Sequence, residues 1–217
     1  TYGIILQQDG YLDKEPVTVA DLPADQRPIN QHWSWDRILR SPYIKQADVV
    51  QGLYVFESDF YLDTIQRNFD FYEARCVHES SLSPCIHSVV ASKIGNEKKA
   101  YELYLRTARL DLDDYNKEAH EGLHITSMSG SWLAIVKGFA GMRNATNTIS
   151  FNPYIPQGWK SYSFSITYRG AVFSITVTKK KVTLHVSSGY VTNLELYGTV
   201  YSLKAGEDLT VEMSQRK

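Results

Sequence analysis

A run of hydroxyl, imidazole and carboxylate side chains lies at residues 78–84, where the chain reads HESSLSP. Ser83 can cap a helix that follows it, and Pro84 suits the first helical position. The start of a helix presents unpaired N–H donors and a partial positive charge, which favour a bound anion. Ser80 and Ser81 are therefore candidate anion ligands, and an ordinary capped helix without a ligand is the alternative.

A second group of the same residue types precedes another predicted helix start, where His124 is followed by Thr126 and Ser127. Two loops that each combine a histidine with hydroxyls at a helix N-terminus are what an oxyanion such as phosphate would use. The two groups together predict an oxyanion site.

Lys45 and Gln46 form a third group, which follows three aromatic residues at Trp33, Trp35 and Tyr43. A lysine and a glutamine side by side near indole rings can hydrogen-bond several sugar hydroxyls at once. The pair is a candidate sugar-binding site. A lysine in solvent at the start of a helix is the alternative.

Residues 120–124 read HEGLH, which fits the His-Glu-x-x-His pattern of zinc peptidases. In that pattern the two histidines share a helix face and bind Zn²⁺, while the glutamate activates the bound water. Here Gly122 interrupts the would-be helix, and no third ligand follows at the expected spacing. We therefore expect no metal site and keep a zinc peptidase acting through His120, Glu121 and His124 as the alternative enzyme class.

Three other motifs are interpreted as structural or chance features and not as functional sites. The acidic run DLDDYN at residues 111–116 lacks the glycine of a calcium loop and predicts a solvated turn. Asn144 begins a glycosylation sequon that ends at Thr146, which we take as a chance match. The basic run at residues 179–181 predicts a hairpin tip and not a nucleic-acid site.

Composition limits the function classes. Hydrophobic residues make up 43% of the 217 residues and charged residues 22%, as in globular domains. A net charge of -1 argues against binding to nucleic acid or to an anionic membrane. No run is long enough to span a bilayer and no signal peptide opens the chain. With Cys76 and Cys85 alone, no disulfide framework is possible, so we expect a cytoplasmic protein.

Two halves with different hydrophobic periodicities must position these residues. Residues 1–143 predict helices on short turns, whose spans are 44–56, 60–74, 84–94, 97–110 and 127–138. Residues 144–217 predict a small antiparallel β-sandwich, with strands at 161–168, 171–178, 182–188, 193–198 and 209–213. The sequence thus predicts an α+β multidomain chain.

Four long segments carry a resemblance to a known family. They read HWSWDRILRSPYIKQADVVQGLY, NFDFYEARCVHESSLSPCIHS, AYELYLRTARLDLDDYN and GLHITSMSGSWLAIVKGFAGMR. In this order they closely resemble the C-terminal part of the maltose phosphorylases, which are inverting disaccharide phosphorylases of glycoside hydrolase family 65. The similarity covers nearly the whole chain.

The resemblance implies a fold and a reaction. Residues 1–143 would be the C-terminal part of an (α/α)₆ barrel, and residues 144–217 the β-sandwich that follows it. The reaction would convert maltose and phosphate to β-glucose 1-phosphate and glucose, with no cofactor and with phosphate as co-substrate. Because phosphate is already a nucleophile, such an enzyme needs one carboxylic acid, and an anion site replaces the base of an inverting hydrolase.

The resemblance also implies roles for residues. Lys45 and Gln46 would bind the glucosyl unit, whereas Ser80, Ser81 and His124 would bind phosphate. The family's general acid is a glutamate in a Pro-Asp-Glu-Tyr motif, which this chain lacks, so we expect no catalytic residue here.

We expect a C-terminal fragment that is inactive alone and that needs the N-terminal part of the same protein, the parent being a homodimer. A hydrolytic α-glucosidase of the same family and a non-catalytic sugar-binding module are the alternatives.

Overall fold

In the computed structural model, which describes residues 3–145 and 147–214, α-helices occupy the first part of the chain. They are α1 (Ile29–His32), α2 (Trp35–Arg40), α3 (Asp48–Val55), α4 (Leu62–Glu73), α5 (Ser83–Lys93), α6 (Glu97–Ala108), α7 (Leu110–Asp113) and α8 (Ile125–Leu133). This first unit ends at Ala134, and a second unit begins at Ile135. The predicted boundary between residues 143 and 144 falls within the second unit.

Helix α5 is the centre of the first unit, because every residue from Ser83 to Ser92 is buried. The Ser88 hydroxyl donates to the carbonyl of Ala100 in α6, at 2.7 Å. On the α8 side, a Cβ added at Gly130 would lie 2.9 Å from the Cβ of Cys85, so only glycine permits this close packing. The helices that carry the predicted site residues therefore share one tightly packed core.

A long-range contact changes where one predicted helix begins. The helix predicted at 44–56 begins at Asp48, because Ile44 instead pairs with Cys76 in a parallel β-bridge. The Ile44 N–H donates to the Arg75 carbonyl and the Val77 N–H donates to the Ile44 carbonyl, both at 2.9 Å. Lys45 and Gln46 consequently lie in a loop and do not open a helix, which corrects the sequence prediction.

The N-terminal caps of α5 and α8 also differ from the prediction. Ser83 is the first residue of α5 and Leu82 is its N-cap, so Ser83 does not cap this helix. The Ser83 hydroxyl lies instead 3.1 Å from Nδ1 of His78. Helix α8 begins earlier than predicted, with His124 as its N-cap residue, and continues into a π-helical stretch at Ala134–Phe139.

The second unit contains two four-stranded sheets. Its strands are β1 (Arg143–Ala145), β2 (Thr148–Phe151), β3 (Ser161–Tyr168), β4 (Ala171–Thr178), β5 (Lys181–Ser188), β6 (Tyr190–Leu196), β7 (Thr199–Lys204) and β8 (Asp208–Glu212). One sheet has the order β1-β2-β6-β7 and the other β3-β4-β5-β8. The inner faces meet at Phe151 and Phe173, whose rings are 6.3 Å apart.

The prediction of an antiparallel sandwich needs one correction, because β2 pairs with β6 in parallel. Strands β3 and β4 match the predicted spans, and β4 alternates buried and less buried positions along its length. Strands β1, β2 and β7 lie outside the predicted spans, and most residues of β7 are exposed without that alternation. The sequon at Asn144 extends to Thr146, which lies outside the described residues.

Two further observations concern the cysteines and the length of the helices. Cys76 and Cys85 are both buried free thiols. Among the described helices, none combines the length and the apolar character that a membrane crossing requires. The prediction of an α+β chain is confirmed by the helices of the first unit and the sheets of the second.

Candidate functional site

The two loops predicted to bind an oxyanion meet in the structure. The hydroxyl oxygens of Ser81 and Thr126 lie 2.8 Å apart, although 45 residues separate them in the chain. Ser81 lies in the loop before α5, and Thr126 lies in the first turn of α8, two residues after the N-cap residue His124. The structure therefore gathers hydroxyls, a helix start and an imidazole at one place.

Ser80 lies deeper than Ser81 in the same loop. Its hydroxyl oxygen accepts a hydrogen bond from the Leu82 N–H at 3.2 Å, and the residue is buried. A serine hydroxyl that accepts can still donate its own proton. Ser80 thus shapes the turn that presents Ser81 and keeps a donor for a ligand.

His124 is oriented by a carboxylate that was interpreted as part of a solvated turn. Nδ1 of His124 lies 2.5 Å from Oδ1 of Asp111, and the His124 backbone N–H donates to Oδ2 at 2.9 Å. These hydrogen bonds hold the pKa of Asp111 below its usual range. Since Nδ1 donates to Asp111, Nε2 is left for another partner, and Glu118 Oε2 is 3.8 Å from it.

A buried network of ionisable side chains lies beneath the Ser80–Ser81 loop. Glu73 Oε2, at the end of α4, lies 2.5 Å from His87 Nδ1 of α5 and 3.2 Å from His78 Nε2. Its other oxygen is 3.6 Å from the Lys99 ammonium. The second nitrogen of His78 lies 3.5 Å from the Cys76 sulfur. One carboxylate therefore holds three potential cations.

The network shifts the pKa values of its members. Burial would raise the pKa of Glu73, but the hydrogen bonds from His78 and His87 outweigh burial and hold it well below its usual range. Burial would likewise lower the pKa of His78, but Cys76 and Glu73 together raise it to about 9. Glu73 is consequently an ionised carboxylate and His78 an imidazolium near neutral pH.

The loop is also held through its main chain and through Glu79. Nε and one terminal nitrogen of Arg106 donate to the His78 carbonyl, at 3.2 and 2.8 Å. Both oxygens of the Glu79 carboxylate accept from the Ile29 N–H at 2.8 Å, at the start of α1. Burial raises the pKa of Glu79. This glutamate is therefore a structural residue that fixes the loop to α1.

A metal ion could in principle use this network. Among the described residues, Glu73, His78 and His87 are the one group of three possible ligands whose ligand atoms lie within 4.8 Å of one another. However, Oε2 of Glu73 already accepts from both imidazoles, and the ammonium of Lys99 lies beside the other oxygen. A divalent cation would have to displace these cationic donors, so an ion-paired hydrogen-bond network describes the group better.

The zinc-peptidase alternative is wrong. Residues Ala119–Glu121 form one 3₁₀ turn, and Gly122 leaves it with φ of 109°, so His120 and His124 do not share a helix face. His120 and Glu121 are exposed, whereas His124 pairs with Asp111. The two histidines and the glutamate therefore cannot form the His-Glu-x-x-His arrangement that a zinc peptidase needs.

The predicted sugar-binding pair lies in a loop beside the anion loop. The Lys45 ammonium is 5.4 Å from the ring centre of Trp35, which is 63% exposed. Gln46 is also exposed. The bridge between Ile44 and Cys76 brings this loop next to the strand-like segment that leads into His78. An aromatic face, an ammonium and an amide are thus available near the anion loop.

Sequence reasoning missed Glu73, His87 and Asp111. A histidine within the largely apolar run of α5 was a usable signal, because a buried imidazole needs a polar partner. The partner itself could not be found, since Glu73 precedes His87 by 14 residues and contacts it only through the packing of α4 on α5. Asp111 was seen, but only as one of several acidic residues in a turn.

Comparisons with known proteins identify the family to which this chain belongs. Residues 1–133 match the glycosyl hydrolase family 65 central catalytic domain, and residues 142–203 match the C-terminal domain of the same family. Maltose phosphorylase of Bacillus subtilis is 54% identical over 89% of this chain, and α,α-trehalose phosphorylase of Thermoanaerobacter brockii is 39% identical over 94%. The chain spans 26% of the length of each of these two relatives.

A solved structure shows the same likeness in three dimensions. It is provisionally described as a kojibiose phosphorylase from the human microbiome, and it superposes with a TM-score of 0.88 at 35% identity. The match covers 97% of this chain and 29% of that one. With both domain models matched in order, the resemblance seen in the sequence is confirmed, and the chain belongs to glycoside hydrolase family 65.

Proposed function

We propose that this chain is part of an inverting disaccharide phosphorylase that converts maltose and phosphate to β-glucose 1-phosphate and glucose. The relatives reported above are named for phosphorylases of three different disaccharides, and the maltose enzyme shares 54% identity with this chain. The observation that carries the proposal is the contact between Ser81 and Thr126, because it joins the two predicted oxyanion loops.

The chemistry of these loops suits phosphate. A phosphate dianion needs several donors, and the site offers the hydroxyls of Ser80, Ser81 and Thr126. Nε2 of His124 lies at the edge and donates only when both ring nitrogens carry protons, because Nδ1 already donates to Asp111.

The first turn of α8 adds the positive end of the helix dipole. The Ile125 and Ser127 N–H groups already donate to the carbonyls of Leu123 and His124. The hydroxyl donors and this dipole orient the anion for attack on the anomeric carbon and stabilise its changing charge.

The sugar side of the reaction is assigned to Lys45 and Gln46. An ammonium and an amide can bind neighbouring hydroxyls of the glucosyl unit, while the exposed face of Trp35 offers a platform for the sugar ring. The helices of the first unit would form part of the (α/α)₆ barrel, and the glutamate that protonates the leaving oxygen would lie in another part of the longer protein. The 217-residue chain alone is therefore predicted to be inactive.

Titration with inorganic phosphate, followed by calorimetry or by ³¹P NMR, tests the phosphate site. We expect Ser81→Ala and His124→Ala each to weaken phosphate binding by about tenfold, because each removes a hydrogen bond to an anion worth ~1.4 kcal/mol or more. Ser129→Ala is the matched control, since the Ser129 hydroxyl bonds only to carbonyls of its own helix. Equal phosphate affinity in all four proteins would contradict the assignment.

Incubation of the chain with maltose, with and without phosphate, separates the alternatives. We expect neither β-glucose 1-phosphate nor glucose, because no general acid is assigned within the chain. Release of glucose in the absence of phosphate would instead identify a hydrolytic α-glucosidase. Formation of β-glucose 1-phosphate would show that the chain contains its own proton donor.

A further inference from the structure

We propose that Glu73 is a positioning residue for phosphate binding, which acts through His78 to fix the backbone of the Ser80–Ser81 loop. This inference rests on the proposed function, because it assumes that the loop binds phosphate. The Glu73 carboxylate contacts His78 and His87, whereas no hydrogen bond joins it to Ser80 or Ser81 among the described residues. Its role would be to keep the hydroxyls of the loop in the orientation that the anion needs.

The first step of the argument is the backbone of His78. This residue has φ of 53°, in the left-handed region that non-glycine residues seldom adopt. Such a conformation persists only where the surroundings hold it. Here the imidazole is held by Glu73 and Ser83, and the carbonyl is held by Arg106. His78 is therefore the point at which side-chain contacts determine the direction of the loop.

The second step is the rigidity of Glu73. The carboxylate is held between α4 and α5 by His87, which is 1% exposed, and it faces Lys99 on α6. The groups that surround the His78 ring are Glu73, Cys76, Ser83 and His87. A buried imidazolium needs a fixed counter-charge, and Glu73 supplies one from α4 at Nε2 of the ring, whereas the Cys76 sulfur lies beside Nδ1.

The third step is the short path from His78 to the ligand site. Glu79 is tied to α1 by the Ile29 N–H, which both carboxylate oxygens share, and Ser80 closes the next turn by accepting from the Leu82 N–H. The loop is thus fixed at Glu79 and at the turn that Ser80 closes. We therefore expect a change in the backbone angles of His78 to alter the orientation of Ser80 and Ser81. Loss of the Glu73 charge would therefore change the orientation of the hydroxyls without removing any of them.

Glu73→Gln tests this inference, with inorganic phosphate as the probe. Glutamine has nearly the same volume, but it carries no charge and turns one acceptor oxygen into a donor that faces cations. We expect phosphate affinity to fall by about tenfold, ~1.4 kcal/mol. Hydrogen exchange at the Leu82 amide should also become faster. Glu102→Gln is the control, since Glu102 also pairs with Lys99 but is 61% exposed, and it should change neither quantity.

A second pair of variants tests the conformational step and does not depend on Glu73. Asparagine tolerates the left-handed region better than alanine does, so His78→Asn should retain more phosphate affinity than His78→Ala. If His78 contributed only to stability, the two variants would bind phosphate equally well at a temperature where both are folded. Equal phosphate affinity of the two would overturn the inference, including in the case where Glu73→Gln fails to fold.

The outcomes separate the inference from the proposed function. If the unsubstituted chain binds phosphate through Ser81, and Glu73→Gln binds it within about twofold of the same affinity, the positioning role is overturned and the proposed function stands. If the unsubstituted chain binds no phosphate, or Ser81→Ala makes no difference to binding, the proposed function fails, and the positioning role fails with it.

Discussion

The two loops that meet at Ser81 and Thr126 are held in different ways. Residues 77–80 are buried, and their conformation is set by α1, α4, α5 and α6. Most of residues 117–123 are exposed, and their turns are closed by local hydrogen bonds, such as those from the Glu118 and Ala119 amides to Asp114. One wall of the candidate anion site is therefore part of the helix core, and the other is a surface turn.

This difference predicts how substitutions on each wall should affect stability and phosphate affinity. On the buried wall, a change in one ionisable side chain leaves other charges without partners in a medium that solvates them poorly. On the exposed wall, water can replace a lost partner at little cost in free energy. We therefore expect the buried wall to govern stability and ligand affinity together, whereas the exposed wall should govern affinity with a small effect on stability.

The largest expected effect is that of Glu73→Ala. It leaves the imidazoles of His78 and His87 buried without their counter-charge, so the free energy of unfolding should fall by about 3–5 kcal/mol. Urea denaturation followed by circular dichroism measures it. Glu102→Ala removes an exposed partner of the same lysine and should cost about 0–1 kcal/mol. A loss at Glu73 as small as that at Glu102 would break the comparison of the two walls.

A lower pH should reduce the stabilisation that the Glu73 carboxylate provides, with a smaller effect than that of Glu73→Ala. The pKa of Glu73 is lowered in the folded chain, so its contribution to stability is present above its unfolded pKa of about 4.5 and is lost as pH falls further. The free-energy difference between the unsubstituted chain and Glu73→Gln should therefore shrink by about 1–3 kcal/mol between pH 6 and pH 3. Denaturation at both pH values measures the change. A difference that is independent of pH would show that Glu73 is not ionised in the fold.

The smallest stability effect is expected at Asp111→Asn, which replaces a partly buried carboxylate on the wall formed by the surface turn. The amide oxygen of asparagine can still accept from the His124 backbone, so the free energy of unfolding should fall by less than about 1 kcal/mol. Phosphate affinity should nevertheless fall, because the imidazole of His124 loses the carboxylate that orients it. Asp113→Asn breaks a surface pair with Arg109 and is the control for both measurements. If Asp111→Asn destabilised the chain as strongly as Glu73→Ala, the two walls would not differ.

The sequence predicted what depends on local pattern. The spans of β3 and β4 follow from alternating side chains, and the turn between them lies at Arg169-Gly170, where both residues have positive φ. The start of α3 could not be predicted, since it depends on the pairing of Ile44 with a residue 32 positions later. Local rules for helix ends placed that start four residues too early.

The candidate site likewise contains residues that a local sequence pattern predicts and residues that only tertiary packing brings together. Ser80, Ser81 and His124 could be singled out because hydroxyls and histidines before helix starts form a local pattern, and their role in phosphate binding stays a prediction. The residues that hold them were not found, because Glu73 contacts His78 and His87 only after α4 and α5 pack. Ser83 illustrates the limit, since its hydroxyl could cap a helix in isolation but contacts His78 in the folded chain.

The bridge between Ile44 and Cys76 has a consequence for divergence within the family. Its two hydrogen bonds join main-chain atoms only, so they do not depend on which side chains occupy the two segments. The separation between the loop of Lys45 and the loop of Ser81 can then stay constant while the side chains around the sugar change. Under the proposed function, this main-chain bridge would set the spacing between the two co-substrate sites without depending on the residues that select the sugar.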